Sequence, residues 1–117
     1  NSVIKDIRSD MRLAKKIQTK LLPNPDIQFP GINCAIEYTP MLEIGGDIYD
    51  IFEMRDGFIR VFLADATGHG IQAALTTTLI QSEFDKVKKS TSSPKEILRN
   101  LNNNFLNRYK SLNVFFS

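Results

Sequence analysis

The chain has 117 residues, 42% apolar and 24% charged, which fits one soluble globular domain with a modest core. Fifteen basic against thirteen acidic residues leave a net charge of +2, too small to draw nucleic acid or lipid headgroups. No run approaches the roughly 18 unbroken apolar residues of a membrane span, and the early charges Lys5, Asp6, Arg8 and Asp10 exclude a signal peptide's apolar centre, so a cytoplasmic setting without membrane insertion is expected.

Along the chain, Ile4, Ile7, Met11, Ala14, Ile17 and Leu21 recur at three- and four-residue steps, the period of an amphipathic helix that Pro23 ends. The stripe resembles a short heptad seam interrupted at Gln18, and it can pack on its own domain or on the same helix of a second chain. Residues 1–23 are therefore set apart as a regulatory or dimerisation helix, with 24–117 as the domain that follows. The cluster Asn24, Pro25, Asp26, Pro30 and Gly31 reads as a turn-rich connection. A first strand is expected over Ile32–Tyr38 and a second over Ile48–Met54, with Pro40 and Gly45-Gly46 between them.

Arg55-Asp56-Gly57 supplies a tight turn into Phe58–Ala64, whose nearly continuous apolar character predicts a strand covered on both faces and hairpinned to the one before. After Gly68-His69-Gly70, the positions Ile71, Ala74, Leu75, Leu79, Ile80, Phe84 and Val87 keep a helical period through the β-branched run Thr76-Thr77-Thr78. Ser93-Pro94-Lys95-Glu96 is a capping box with proline at the first helical position, and it opens a third helix to about Tyr109. Asn113–Ser117 is apolar and strand-like, with no turn or partner evident in the sequence. Cys34 has no second cysteine to pair with, so no disulfide or thiolate metal site can form within the chain.

Two acidic residues sit at strand edges beside glycines: Asp47 after Gly45-Gly46, and Asp65 before Ala66-Thr67-Gly68. In the expected hairpin Asp47 opens the upstream strand and Asp65 closes the downstream one, so antiparallel pairing brings both carboxylates to one end of the sheet. Carboxylates are hard oxygen ligands suited to magnesium or manganese, and glycine lets backbone carbonyls approach an ion unobstructed. Either aspartate alone is equally a turn former beside glycine.

The motifs Gly45-Gly46-Asp47-Ile48-Tyr49-Asp50 and Asp65-Ala66-Thr67-Gly68-His69-Gly70 resemble the paired motifs of the sporulation-type (SpoIIE-like) phosphatases, a bacterial branch of the PPM, or protein phosphatase 2C-like, superfamily. Ala14-Lys15-Lys16-Ile17-Gln18-Thr19-Lys20-Leu21-Leu22-Pro23 resembles the helix ending that precedes the catalytic sheets in that branch. The resemblance implies an α+β fold, the N-terminal half of an α-β-β-α sandwich of antiparallel sheets flanked by helices. It further implies two Mn²⁺ or Mg²⁺ ions held by Asp47, by Asp65 bridging both, and by the backbone carbonyl of Ala66. The activity implied is hydrolysis of phosphoserine or phosphothreonine by a water activated between two metals.

The resemblance also implies a further metal-binding aspartate from a C-terminal half that this sequence does not contain, so the chain is expected to be a piece that is inactive alone. The implied substrate is a phosphorylated signalling protein such as an anti-sigma-factor antagonist, with an upstream sensor acting through the N-terminal helix. Asp50 is either an acceptor orienting waters at the metals or an exposed strand aspartate. His69 is either a general acid toward the leaving oxygen or a contact to the backbone at the helix start. The rival reading is a non-catalytic module, or a degenerate relative, that dimerises through Ile4, Ile7, Met11 and Leu21.

Overall fold

A computed structural model describes residues 1–40 and 44–117. The elements run α1 (Ser2–Leu21), β1 (Asp47–Glu53), β2 (Ile59–Asp65), α2 (Gly70–Val87) and α3 (Pro94–Tyr109), followed by a single 3₁₀ turn over Lys110–Leu112. The molecule measures 55 × 36 × 18 Å, and its shortest dimension is what one sheet layer under one helix layer requires. The fold class is α+β, as expected.

β1 and β2 form an antiparallel hairpin that pairs Asp47 with Asp65 at one end and Glu53 with Ile59 at the other. The turn works as its sequence suggests. Met54 and Phe58 close it through Met54 N–H to Phe58 O at 2.8 Å, the Asp56 carboxylate accepts from Phe58 N–H at 3.1 Å, and Gly57 takes a φ of +84° that a side chain would resist.

One face of this hairpin carries the core. Ile48, Phe52, Phe62 and Ala64 point at α2 and α3, where Phe84 stacks flat on Phe62 at 3.8 Å between centroids and meets Phe52 edge-on at 6.0 Å. β2 is therefore not covered on both faces, contrary to the expectation for Phe58–Ala64. Its outward side chains Val61 and Leu63 are 60% and 74% exposed, because the described residues place a helix layer on one side only.

Ile32–Tyr38 is not a strand either. Among the described residues its only ladder contact is a bridge from Ile32 back to Phe29, since an extended segment without a neighbouring strand there makes no sheet. The C-terminal segment corrects a third expectation, because it has both a turn and a partner. Asn113 turns the chain in the left-handed region at φ +57°, and Ser117 N–H and C=O both bond to Asp65, at 2.9 and 2.7 Å. Phe116, bridged to Ala66, then packs edge-on to Phe105 at 4.8 Å.

α2 buries Ala73, Thr76, Thr77, Ile80, Glu83, Phe84 and Val87, while Ile71 and Leu75, expected inside, are exposed. The threonines are tolerated because each hydroxyl donates to a carbonyl one turn back: Thr76 to Gln72 at 2.9 Å, Thr77 to Ala74 at 2.6 Å and Thr78 to Ala74 at 3.3 Å. Buried Glu83 is balanced by Lys86 at 3.1 Å and, from α3, Arg108 at 3.4 Å. Half of the capping box forms at α3. Ser93 Oγ accepts from Glu96 N–H at 3.3 Å, but Ser93 N–H goes to Thr91 and the Glu96 carboxylate to Arg99.

α1 is the least embedded element. Ile4, Ile7 and Ile17 are each at least half exposed, and Gln18 is the helix's one buried residue. Leu22 leaves the helix in an extended conformation, as the residue before a proline must.

Candidate metal centre

The ladder's hydrogen bonds fix how the two aspartates meet. Met54 pairs with Phe58 through the backbone, and Ala66 N–H donates to Gly46 O at 2.7 Å, so the even-numbered residues of β1 carry the inter-strand bonds. Asp65 spends its own N–H and C=O on Ser117, on the strand's other side. Asp47 and Asp65 are therefore a non-hydrogen-bonded pair, the kind in which Cα atoms approach to about 4.5 Å and side chains stand closest. Both side chains leave the same face of the hairpin, away from the helices.

That proximity shows in the electrostatics. Partial burial, then the Asp65 charge and a hydrogen bond to the Asp65 side chain, raise the Asp47 carboxyl above its ordinary value. A cation between two carboxylates so placed would relieve their repulsion.

Backbone groups crowd the same corner. A Cβ on Gly46 would lie 3.2 Å from the Ala66 carbonyl oxygen and 3.1 Å from Ala73 Cβ, so only glycine lets the chain just before Asp47 lie this close to Ala66. Tyr38 O–H donates to the Asp47 carbonyl at 2.9 Å, and its own acidity is weakened by burial and then by the Asp47 charge. A cleft of about 490 Å³ opens beside the pair, lined by Tyr38, Asp47, Tyr49, Ile51, Leu63 and Asp65. The donor set suits a hard divalent cation: two adjacent carboxylates whose repulsion such an ion relieves, with a carbonyl next in sequence. Among the described residues, no group of three or more His, Cys, Asp or Glu side chains converges.

Asp50 lies on the opposite face. It accepts from Lys88 Nζ at 2.9 Å, under the end of α2, rather than reaching the aspartate pair. His69 is exposed and starts α2 as its N-cap residue in extended backbone, yet its side chain makes no capping hydrogen bond. Gly68 and Gly70 on either side have φ of +93° and +71°, which makes them backbone requirements of the strand-to-helix turn.

Two contributors escaped the sequence. Tyr38 sits in a segment read as a strand, and Gln18 in a stripe read as a helix seam. The one available signal was that a polar residue interrupts an otherwise apolar period, and it is Gln18 that the fold buries.

Comparison with known proteins identifies a family and a fold for the chain. A family model described as Stage II sporulation protein E (SpoIIE) matches residues 55–117. The chain is 28% identical over 97 residues to the phosphoserine phosphatase RsbU of Bacillus subtilis (strain 168), covering 83% of this chain and 29% of that protein. It is 26% identical over 94 residues to the phosphoserine phosphatase RsbP of the same organism, covering 80% of this chain and 23% of that protein. Among solved structures, the SiaA-PP2C domain of Pseudomonas aeruginosa superposes with a TM-score of 0.80 at 25% identity, over 97% of this chain and 47% of that one. The chain thus spans less than a third of these two relatives and about half of the solved domain.

Proposed function

Because the chain belongs to the Stage II sporulation protein E (SpoIIE) family, we propose that it carries part of the active centre of a metal-dependent phosphoserine/phosphothreonine protein phosphatase. The observation that supports this most directly is the Asp47–Asp65 pair, two carboxylates held face to face on a strand pair with a raised proton affinity at Asp47. A structural hairpin gains nothing from such repulsion.

In this reading Asp47, Asp65 and the Ala66 carbonyl would hold Mn²⁺ or Mg²⁺. Bound there, the ions would activate a water as nucleophile and neutralise charge on the phosphoryl oxygens. The chain's own residues do the rest. The Gly46–Ala66 and Asp65–Ser117 backbone bonds keep both carboxylates at fixed spacing. His69, exposed and untied by any capping bond, supplies the proton for the leaving serine oxygen.

The substrate in this proposal is a phosphorylated signalling protein, an anti-sigma-factor antagonist by analogy with the family, in the cytoplasm. Among the described residues no helix is long and apolar enough to cross a membrane. Residues 1–23 act as the regulatory helix below a sensor, and the exposed Ile4 and Ile7 on α1 favour a dimer through it. The same exposure supports the second reading, a non-catalytic interaction module.

The deciding experiment is Mn²⁺-dependent hydrolysis of a phosphoserine peptide by the full-length protein and by its Asp47→Asn and Asp65→Asn variants. Loss in both variants is expected. Undiminished turnover in either would overturn the metal reading, and no turnover in the parent would leave the interaction module.

A further inference from the structure

A second groove, of about 650 Å³, opens between the last turns of α1, the chain leaving it at residues 22–25, and residues 38–40. It adjoins the cleft beside the aspartate pair, because Tyr38 and Tyr49 wall both. Their rings stand 5.9 Å apart between centroids, tilted by 52°. Neither hydroxyl is left over for a ligand. Tyr38 O–H donates to the Asp47 carbonyl and Tyr49 O–H to the Pro23 carbonyl, each at 2.9 Å, so each ring meets the groove as a fixed aromatic surface.

The opposite wall is held as firmly. Leu21 O accepts from Gln81 of α2, and the rings of Pro23 and Pro25 fix φ on either side of Asn24. Asn24 closes the turn that follows, its carbonyl accepting from Ile27 N–H at 3.0 Å and its side chain from Asp26 N–H at 2.9 Å. A groove with walls this restrained is formed before anything enters it, which lowers the ordering cost of binding.

Charge decides what the groove takes. The charged residues that wall it are Lys15 and Lys20, both exposed. Among the described residues neither is in an ion pair, and no acid joins them in the walls. Lys20 has a second use, since a cation in the last turn complements the helix dipole, but Lys15 lies more than a turn earlier and beyond that effect. Between them in sequence, Gln18 is spent inward, its amide bonding the N–H and C=O of Gly45 at 3.0 and 2.5 Å.

We propose that this groove docks the segment flanking the phosphoserine of the substrate protein, an extended stretch that carries acidic side chains. The proposal rests on the phosphatase reading above and adds a sequence preference to it. Aromatic and proline walls suit an extended backbone, while the two lysines attract carboxylates and repel a basic flank. Extended chain advances about 3.3 Å per residue. Crossing the two rings, 5.9 Å apart, therefore takes about two residues, and the acidic positions follow after that.

The test uses the full-length protein and three labelled phosphoserine peptides, alike except that the flanks beyond the neighbouring residues are glutamate, neutral or lysine. Binding is read by fluorescence anisotropy in metal-free buffer, and hydrolysis is followed with Mn²⁺. Repulsion between the phosphate and the aspartate pair is common to all three peptides and cancels in the comparison. The glutamate peptide is expected to bind about 3- to 10-fold more tightly than the neutral one, the range for two exposed ion pairs. That advantage should vanish near about 1 M salt, and with Mn²⁺ it should appear in KM and not in kcat. Lys15→Ala/Lys20→Ala, with helix content checked by circular dichroism, should bind the three peptides alike, and Lys15→Glu/Lys20→Glu should prefer the lysine peptide. If the parent binds all three alike, or the alanine pair keeps the preference, docking in the groove is overturned, while hydrolysis of the peptides leaves the phosphatase reading standing. If the preference is present and no peptide is hydrolysed, the phosphatase reading falls and the groove's substrate role falls with it.

Discussion

Lys88, just past the end of α2, reaches the middle of β1 and places its ammonium 2.9 Å from the Asp50 carboxylate. Asp85 joins the same ammonium at 3.3 Å, and the charge lies 4.9 Å from the centre of the Phe52 ring. Burial works against the Lys88 charge, but the hydrogen bond and attraction of Asp50, and then those of Asp85, outweigh it and raise the lysine above its ordinary value.

Asp50→Asn should therefore cost stability without touching metal chemistry. The pair is mostly covered, so the loss should lie between that of exposed and buried pairs, about 1–2 kcal/mol by urea denaturation at neutral pH. A group raised in the folded state stabilises fully below its ordinary value, 10.5 for this lysine, and that contribution disappears as pH climbs through the folded value. The gap between parent and variant should narrow in that alkaline window, while Mn²⁺ affinity stays equal in both.

The aspartate pair predicts the opposite dependence on its own charge. Because Asp47 is raised above 3.8, metal-free protein draws stability from its protonated form and loses it as pH rises past that value. Asp65→Asn removes the neighbouring charge, so metal-free stability of the variant should fall less over this acidic window than the parent's. Added Mn²⁺ should raise the melting temperature of the full-length parent and leave that of Asp65→Asn nearly unmoved.

His69→Gln separates a proton donor from a turn residue. If the imidazole protonates the leaving oxygen, hydrolysis of a phosphoserine peptide should fall by about 100-fold or more. p-Nitrophenyl phosphate, whose leaving group needs no proton, should be cleaved at close to the parent rate. Equal losses on both substrates would assign His69 to the turn.

Phe84 is the centre of the packing, 2% exposed and wedged between Phe52 and Phe62. Phe84→Ala should cost about 3–5 kcal/mol, a large share of a small domain's stability. Phe84→Leu, which keeps most of the volume, should cost visibly less in the same urea titration.

Much of this architecture could be read in advance because it is local. The α1 period, the Arg55-Asp56-Gly57 turn and Ser93-Pro94 each act through neighbours within a few residues, and the hairpin they define was enough to bring Asp47 opposite Asp65. What escaped depends on distant partners. Whether Ile32–Tyr38 becomes a strand, and whether Val61 and Leu63 are covered, turns on what lies beside them in space. The inward side of α2 depends on hydroxyls that satisfy themselves, so Thr76 and Thr77 displaced Ile71 and Leu75 from the core. Gln18 looked like a flaw in an apolar stripe because its partner is 27 residues away.

The Ser117–Asp65 bonds bear on how this sheet can grow. At Asp65 the strand is interior, with β1 on one side and Ser117 on the other, and its backbone offers nothing to a newcomer. Two residues upstream the situation reverses. Among the described residues, Leu63 and Val61 direct their N–H and C=O groups to an edge with no strand beside it, and their side chains are exposed. An added strand would find a template there as far as Leu63, beyond which Ser117 already holds the backbone of Asp65. The backbone of Asp65 is thus already engaged on both sides, while among the described residues the adjoining edge at Val61 and Leu63 presents backbone groups to which a further strand can add.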